Sequence, residues 1–206
     1  HAYRNPTHER EIRDYITDRY PHYLVSISSE VAPEVREYAR TSTTVANAYV
    51  QPLLARYLSD TETGLRGLGF TGVTHTMLSE GGVTTLDVAR AFPVRLVESG
   101  PAAGVIAAAA LGNLLSLSEV ISFDMGGTTA KACVIRRGSP DVSPDYFVGG
   151  YNEGLAIRIP VLDIKEVGTG GGSIAYIDQG GALHVGPESA GAEPGPACYN
   201  AGGMEA

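Results

Sequence analysis

The stretch VISFDMGGTTAKACVI, residues 120–135, restricts the possible fold more than any other part of the sequence. An apolar run ends at Asp124, residues 126–129 supply the turn Gly-Gly-Thr-Thr, and a second apolar run starts at Ala130. Apolar, β-branched runs on both sides of a short glycine turn predict a β-hairpin. The pattern excludes a Walker A loop, because that loop needs a lysine and a following helix. Lys131 lies two residues past the turn, and we interpret it as an exposed strand lysine.

The turn of this hairpin has the composition of an anion site. Glycine has no Cβ, so successive backbone N–H groups around Gly126 and Gly127 can point into one concavity. The hydroxyls of Thr128 and Thr129 add donors for phosphate oxygens. Asp124 is a candidate for holding Mg²⁺ through water, because hard cations prefer oxygen ligands and keep their waters. The alternative is a plain hairpin in which Asp124 only accepts hydrogen bonds from the turn amides. The spacing leaves both readings open.

Three further glycine-rich places have the same ambiguity. The segment VGTGGGSI, residues 167–174, has four glycines in six residues closed by Ser173, which is more than a turn requires. It is either a close backbone approach to a nucleotide or carbonyl substrate, or a flexible crossing between strands. LSEGG (78–82) and ESGPAAG (98–104) place glycines where a predicted strand meets a helix N-terminus. Such positions attract anions, but they also carry Ser, Gly or Pro for capping alone.

The first half of the chain is predicted to alternate helices with short strands, as α/β domains do. Thr7 is expected to cap a helix over 8–19, and residues 36–60 to form a long helix kinked at Pro52. A helix is also expected over 84–91, and an alanine-rich helix from the Ser-Gly-Pro at 99–101. Short strands are predicted at 23–27, 73–78 and 93–97.

The second half is predicted to consist of short strands separated by turn residues. These strands cover residues 120–123, 130–135, 146–148, 155–159, 174–177 and 182–185. Residues 178–181 (DQGG) are expected to join the last two as a hairpin. We therefore predict a helix-rich part over 1–116 and a β-rich part over 117–206.

Composition narrows the class of partner. The net charge of −8 disfavours a nucleic-acid or anionic-membrane surface, since such partners need a positive field. Cys133 and Cys198 are too few for a disulfide framework and lack metal-ligand spacing, so we expect reduced thiols in a cytoplasmic protein. Neither a signal peptide nor a membrane-spanning run is present in the sequence. Because the chain begins at His1 without a methionine, we expect it to be an internal piece of a longer protein.

Five phrases of the sequence, taken in order, resemble the hydantoinase A/oxoprolinase family. They are REYARTSTTVANAYVQPL (36–53), FPVRLVESGPAAGVIAAA (92–109), ISFDMGGTTAKACVI (121–135), VGTGGGSIAYID (167–178) and VGPESAGAEPGPACY (185–199). The family includes ATP-dependent N-methylhydantoinases, 5-oxoprolinases and the matching subunits of acetone and acetophenone carboxylases. The resemblance extends over nearly the whole chain.

The resemblance implies a fold and a chemistry. The expected fold is an incomplete α/β domain of the actin-like ATPase (ribonuclease H-like) superfamily, with a mixed sheet and flanking helices. The expected cofactors are ATP and Mg²⁺. Family members use ATP to phosphorylate a cyclic amide or a ketone-derived enol oxygen, and the activated species is then opened by water or carboxylated. A cyclic amide substrate and a hydantoinase B-like subunit or domain are the expected partners.

The resemblance also assigns roles to individual residues. The turn residues carry phosphate, with Asp124, Thr128 and Thr129 in the catalytic set and Gly126 and Gly127 in the nucleotide-binding set. The nucleotide-binding set also includes the glycine-rich segment Gly170, Gly171, Gly172 and Ser173. Gly81 and Gly82 belong to it as well, because they resemble a strand-Gly-Gly-helix element that supports adenosine.

The sequence departs from the family pattern at Glu80 and lacks one of the family's turns. Ser79-Glu80 precedes Gly81-Gly82 where Ser-Asn is expected, and an acidic side chain is unhelpful beside phosphate. Cys198 lies in the PGPACY phrase without an obvious histidine partner, so we expect it to be structural. The family's N-terminal Asp-Gly-Gly-Thr turn is also absent, so we expect this piece alone to be inactive. Three functions stay open: a cyclic amidohydrolase, a ketone carboxylase subunit, and an actin- or Hsp70-like nucleotide-binding interaction domain.

Overall fold

The computed structural model of the chain describes residues 1–149 and 154–204. Contacts divide it into a first unit, His1–Ala102 with Val142–Leu162, and a second unit, Ala103–Asp141 with Asp163–Ala206. The two units interleave along the sequence, because the segment 142–162 returns to the first. The division into 1–116 and 117–206 stays a prediction about domains.

Helices make up most of the first part of the chain, and short strands follow one another in the later part. The helices are α1 (Thr7–Arg19), α2 (Ser28–Val31), α3 (Glu37–Gly67), α4 (Leu86–Ala91) and α5 (Ser99–Leu114), with 3-10 helices at Pro93–Leu96 and Ala197–Tyr199. The strands are β1 (His75–Met77), β2 (Val83–Thr85), β3 (Glu119–Met125), β4 (Ala130–Arg136), β5 (Ser139–Pro140), β6 (Val142–Ser143), β7 (Tyr146–Val148), β8 (Leu155–Ile157), β9 (Val161–Leu162), β10 (Lys165–Val167), β11 (Ser173–Ile177) and β12 (Leu183–Ser189). The predicted helices over 8–19 and 36–60 and from residue 99 are confirmed. The predicted cap is wrong, because Thr7 is the first residue of α1 and makes no capping hydrogen bond.

A row of buried polar side chains on α3 organises the first unit. Thr43, Asn47 and Gln51 recur every four residues, so they lie on one face of the helix. The Asn47 side chain donates to the carbonyl of Ala91 (3.0 Å) and accepts from the N–H of Val94 (3.2 Å). Gln51 also donates to the Ala91 carbonyl. Buried backbone groups need such partners, and the 36–53 phrase supplies them.

Two predicted strands are wrong, and this polar row explains both. Residues 93–97 form a 3-10 helix over Pro93–Leu96, because Pro93 has no N–H and the N–H of Val94 is bonded to Asn47 rather than to a ladder. Residues 23–27 form a turn and an irregular segment. Ser26 there donates to the Gln51 side chain (3.1 Å) instead of joining a sheet.

Apolar packing completes the first unit around α3. One buried cluster contains Val31, Val94, Ile157, Ile159 and Val161. A second joins Leu58 of α3 to Leu86 and Ala89 of α4. The short pairs β6–β9 and β7–β8 are antiparallel and bring residues 142–162 back onto this core.

The second unit is built on the predicted hairpin. β3 pairs with β4 over its full length, from Glu119↔Arg136 to Met125↔Ala130. β10 pairs with the other side of β4, and β11 pairs with β12 across the predicted turn at 178–181. Within residues 1–149 and 154–204 every pairing is antiparallel. The mixed sheet expected from the resemblance is not found there, because short turns link β3 to β4 and β11 to β12.

Candidate functional site

The Gly-Gly-Thr-Thr turn closes the β3–β4 hairpin, and most of its N–H groups have no partner among the described residues. The N–H of Gly126 donates to the carbonyl of Thr129 (3.0 Å). The N–H groups of Gly127, Thr128 and Thr129 make no hydrogen bond to any residue that the structure describes. Unpaired backbone donors near a surface are available to a ligand or to water. The turn therefore contains three consecutive N–H groups without a partner among the described residues, and phosphate binding by them stays a prediction.

The glycine-rich segment 170–173 packs directly on this turn. The N–H of Gly171 donates to the carbonyl of Gly126 (2.9 Å), and the N–H of Gly172 donates to that of Gly127 (2.7 Å). The structure thus brings together two glycine clusters that lie more than 40 residues apart. The N–H groups of Gly171 and Gly172 are engaged in these bonds. The nucleotide-binding role assigned to the segment stays a prediction.

Close approach explains why the segment consists of glycines. A Cβ on Gly170 would lie 2.7 Å from the carbonyl oxygen of Gly126 and 2.7 Å from the backbone nitrogens of Thr128 and Thr129. A Cβ on Gly172 would lie 3.0 Å from the Gly127 carbonyl oxygen. None of these glycines has a left-handed φ, so contact distance is the constraint.

Ser173 closes the segment and is buried. Its hydroxyl accepts a hydrogen bond from the N–H of Gly170 (2.8 Å), and its own N–H donates to the Gly170 carbonyl (3.0 Å). The side chain is 7% exposed. These bonds fix the bend that presents Gly170 to the turn.

Lys131 connects the turn to the third strand. Its Nζ donates to Oγ1 of Thr129 (3.2 Å) and pairs with Oε1 of Glu166 (2.8 Å). The hydrogen bond from Lys131 is the largest effect that lowers the pKa of Glu166, and desolvation partly opposes it. Only 18% of the Lys131 side chain is exposed. Our interpretation of Lys131 as an exposed strand lysine is therefore wrong.

Asp124 lies at the exposed end of β3, opposite Lys131 in the register. Its carboxylate makes no hydrogen bond or ion pair with the part of the chain that the structure describes. The plain-hairpin alternative, in which Asp124 accepts from the turn amides, is not observed. No group of three or more His, Cys, Asp or Glu residues suited to a metal occurs among the described residues. Magnesium binding through water at Asp124 stays a prediction.

Gly81 and Gly82 belong to the first unit and form a turn between strands. Gly81 has φ +87°, a left-handed value that glycine tolerates. The N–H of Leu78 donates to the Gly82 carbonyl (2.7 Å), which closes the β1–β2 hairpin. The predicted strand-Gly-Gly-helix order is therefore wrong: β2 intervenes, and Thr85 caps α4 through its side chain. Adenosine support by this turn stays a prediction.

The two cysteines lie in different surroundings, and both are free thiols. Cys133 on β4 is buried, and burial raises the pKa of its thiol, with the charges of Asp163 and Asp141 adding to the effect. A thiol with a raised pKa is a poor nucleophile. Cys198 is exposed.

Within the described residues no helix is long and apolar enough to cross a membrane.

Residues 40–206 match the sequence profile of the hydantoinase/oxoprolinase family. The chain belongs to the hydantoinase/oxoprolinase family. This confirms the relationship inferred from the five phrases. The matched residues include the turn at 126–129, the glycine-rich segment 170–173 and the polar row of α3. Every residue of the site in the second unit therefore lies within the match.

Relatives of the chain include enzymes with stated ATP dependence. It is 46% identical to an uncharacterised protein of Methanocaldococcus jannaschii and 38% identical to caprolactamase subunit alpha of Pseudomonas jessenii, each over 98% of this chain and over 31% and 28% of those proteins. The crystal structure of the ATP-dependent caprolactamase from Pseudomonas jessenii matches 99% of the chain with a TM-score of 0.78 and 35% identity, over 29% of that chain.

A ketone carboxylase has the same fold over this region. The nucleotide-free structure of acetone carboxylase, described as ATP-dependent, matches 100% of the chain with a TM-score of 0.77 and 28% identity, over 29% of its own length. The chain thus spans about three-tenths of the length of these relatives.

Proposed function

We propose that this chain forms the phosphate-binding part of an ATP-dependent cyclic amidohydrolase. The observation that carries the proposal is the turn at 126–129, whose three unpaired N–H groups are held in place by the glycine-rich segment. Family membership and an ATP-dependent caprolactamase among the relatives support this reaction class.

The donor set of the turn suits a polyphosphate. The unpaired N–H groups and the exposed hydroxyl of Thr128 are donors, and phosphate oxygens accept hydrogen bonds from such groups without needing a basic side chain nearby. The only ammonium bonded to the turn, among the described residues, is that of Lys131. Asp124 would hold Mg²⁺ through water, and the ion would neutralise charge on the phosphates.

The proposed reaction uses ATP to make an amide oxygen into a leaving group. The carbonyl oxygen of the lactam or imide attacks the γ-phosphorus, the bond to the bridging oxygen breaks, and ADP leaves with the electron pair. Water then adds to the activated carbon. The carbon–nitrogen bond then breaks, the ring nitrogen takes up a proton, and an acyl phosphate remains. A second water hydrolyses the acyl phosphate to a carboxylate and inorganic phosphate. The turn amides donate to phosphate oxygens whose charge changes during the transfer.

We also propose that the second unit belongs to an actin-like ATPase domain. The antiparallel order β10-β4-β3, with Asp-x-Gly-Gly-Thr-Thr at the tip of its hairpin, supports this proposal. The same superfamily wraps nucleotide phosphates in such a hairpin. A hydantoinase B-like partner is proposed as well, because the caprolactamase relative is named as a subunit.

A ketone carboxylase subunit is the second candidate function, and the match to acetone carboxylase favours it. Both reactions start with phosphoryl transfer from ATP to an oxygen, so the turn serves either. A substrate panel on the full-length protein separates them. ADP release dependent on hydantoin, 5-oxoproline or caprolactam supports the amidohydrolase, whereas release dependent on acetone and bicarbonate supports the carboxylase.

Titration calorimetry of the full-length protein with MgATP tests the proposal. We expect Asp124→Asn to weaken MgATP binding by about tenfold or more, because a charged group that orders the metal waters is lost. Asp141→Asn is the matched control: it removes one charge from the same unit, and its ion pair with Arg136 is exposed on both sides. Absence of MgATP binding by the wild type, or equal binding by Asp124→Asn, would contradict the proposal.

A further inference from the structure

The PGPACY phrase brings a tyrosine, rather than its cysteine, to the turn. Tyr199 ends the 3-10 helix Ala197–Tyr199. Its phenol oxygen lies 3.6 Å from the position that a Cβ would take on Gly127, and 3.8 Å from the corresponding position on Gly171. The hydroxyl therefore stands at the joint between the turn and the glycine-rich segment, within the second unit.

The backbone around Tyr199 fixes the direction of its ring. The Cδ2 atom lies 2.7 Å from the position of a Cβ on Gly195, so the ring occupies space that only glycine leaves open. Gly195 has φ +76°, a second reason for glycine there. The N–H of Tyr199 donates to the carbonyl of Pro196 (2.9 Å), and Pro196 is fully buried. The loop is thus held by the buried Pro196, and the ring of Tyr199 extends to the turn.

The phenol hydroxyl has no hydrogen-bond partner in residues 1–149 and 154–204, and the side chain is 49% exposed. A tyrosine that only filled space would not need its hydroxyl. A hydroxyl next to unpaired N–H groups can donate to the same anion as they do. The carbonyl oxygens of Gly126 and Gly127 accept from the N–H groups of Gly171 and Gly172, and the Tyr199 hydroxyl donates to neither of them.

We propose that Tyr199 is a ligand-binding residue whose O–H donates to a phosphate oxygen of ATP bound at the turn. The proposal rests on the proposed function, since it needs a nucleotide at residues 126–129. In chemical terms, Tyr199 supplies one hydroxyl donor in addition to the backbone N–H donors of the turn.

The test uses the full-length protein, Tyr199→Phe, and titration calorimetry with MgATP and MgADP. Removal of one donor to a charged oxygen is expected to weaken MgATP binding by about tenfold to 100-fold. Weaker binding of both nucleotides assigns the contact to the α- or β-phosphate, and weaker binding of MgATP alone assigns it to the γ-phosphate. Either result supports the proposal. Tyr176→Phe is the matched control, because Tyr176 is 46% exposed in the same unit and stacks on His184.

Three outcomes would overturn the proposal. If Tyr199→Phe binds MgATP as tightly as the wild type while Asp124→Asn binds more weakly, Tyr199 has no binding role and the proposed function survives. If the wild type itself does not bind MgATP, both proposals fail. If Tyr199→Phe lowers the thermal midpoint of the ligand-free protein in step with the loss of affinity, the hydroxyl acts in packing.

Discussion

Lys131 shows how a single side chain ties the turn to the sheet. Its ammonium reaches Thr129 within the turn and Glu166 on the neighbouring strand, and the register places Asp124, Lys131 and Glu166 in one row across β3, β4 and β10. A cross-strand pair of opposite charge stabilises a sheet modestly. Here the pair also holds the hydroxyl of Thr129 in one position.

Glu166→Gln should lower stability in a pH-dependent way. The pKa of Glu166 is below its ordinary value of 4.5, so its carboxylate form stabilises the folded state above that pH, and the contribution is lost as the pH falls through the lower, folded-state pKa. Because the Glu166 side chain is 46% exposed, we expect a loss of less than about 1 kcal/mol at pH 7. Urea unfolding across pH 3 to 7, with Glu188→Gln as an exposed control, measures it; a loss that persists at the acid end would contradict the assignment.

The turn residues are evident from the sequence, but the contact between Lys131 and Glu166 is not. The turn at 126–129 is a local signal, since strand, glycines and strand follow one another in the chain. The partner of Lys131 lies 35 residues away on β10, a strand that the sequence did not predict. Its three residues Lys165–Val167 are all exposed, so they lack the alternation of buried and exposed positions that identifies a strand.

At the scale of elements, the glycine-rich segment acts as a support for the hairpin. Two carbonyls of the turn accept from N–H groups of Gly171 and Gly172, and Gly170 faces the nitrogens of Thr128 and Thr129. A strand-to-strand crossing with no such contacts would tolerate larger residues. The segment therefore determines the shape of the turn from outside it.

Gly170→Ala should disrupt the turn, and Gly168→Ala should not. The added methyl of Gly170→Ala would lie 2.7 Å from three backbone atoms, so the turn must move, whereas Gly168 has nothing within 4 Å of its Cβ position. We expect Gly170→Ala to cost about 1–3 kcal/mol of unfolding free energy and to weaken MgATP binding by about tenfold or more. Thermal unfolding and calorimetry on the full-length protein compare the pair; equal behaviour of both variants would refute the close-approach explanation.

Elements with a strong sequence periodicity were predicted correctly. Elements whose conformation depends on side chains distant in sequence were not. The long helix α3 and the β3–β4 hairpin follow from pattern alone. Residues 93–97 resemble a strand in composition, but Asn47 takes the N–H that a ladder would use. No local signal at 93–97 reveals an asparagine 47 residues earlier in the chain.

At the scale of the whole molecule, this chain accounts for about three-tenths of its relatives. The amides that we assign to phosphate lie in its second unit, and the resemblance predicts a second turn of similar type elsewhere in the longer protein. A nucleotide held from one side only leaves the phosphoryl group accessible to water.

We accordingly expect residues 1–206 alone to lack ATP-dependent ring opening. A coupled assay for ADP release with hydantoin, 5-oxoproline or caprolactam, run beside the full-length protein at equal concentration, measures this. We expect turnover by the full-length protein and none above background by the shorter chain. Substrate-dependent ADP release by residues 1–206 would contradict this expectation.

The pinned carbonyls of Gly126 and Gly127 have a thermodynamic consequence for any anion that arrives. Their hydrogen bonds restrict the backbone torsions of the loop when the chain folds, so docking needs little further ordering. Because little conformational entropy is lost on binding, a preorganised site retains more of the interaction free energy as affinity. Differences in affinity among related ligands would then lie in how slowly they depart rather than in how fast they associate.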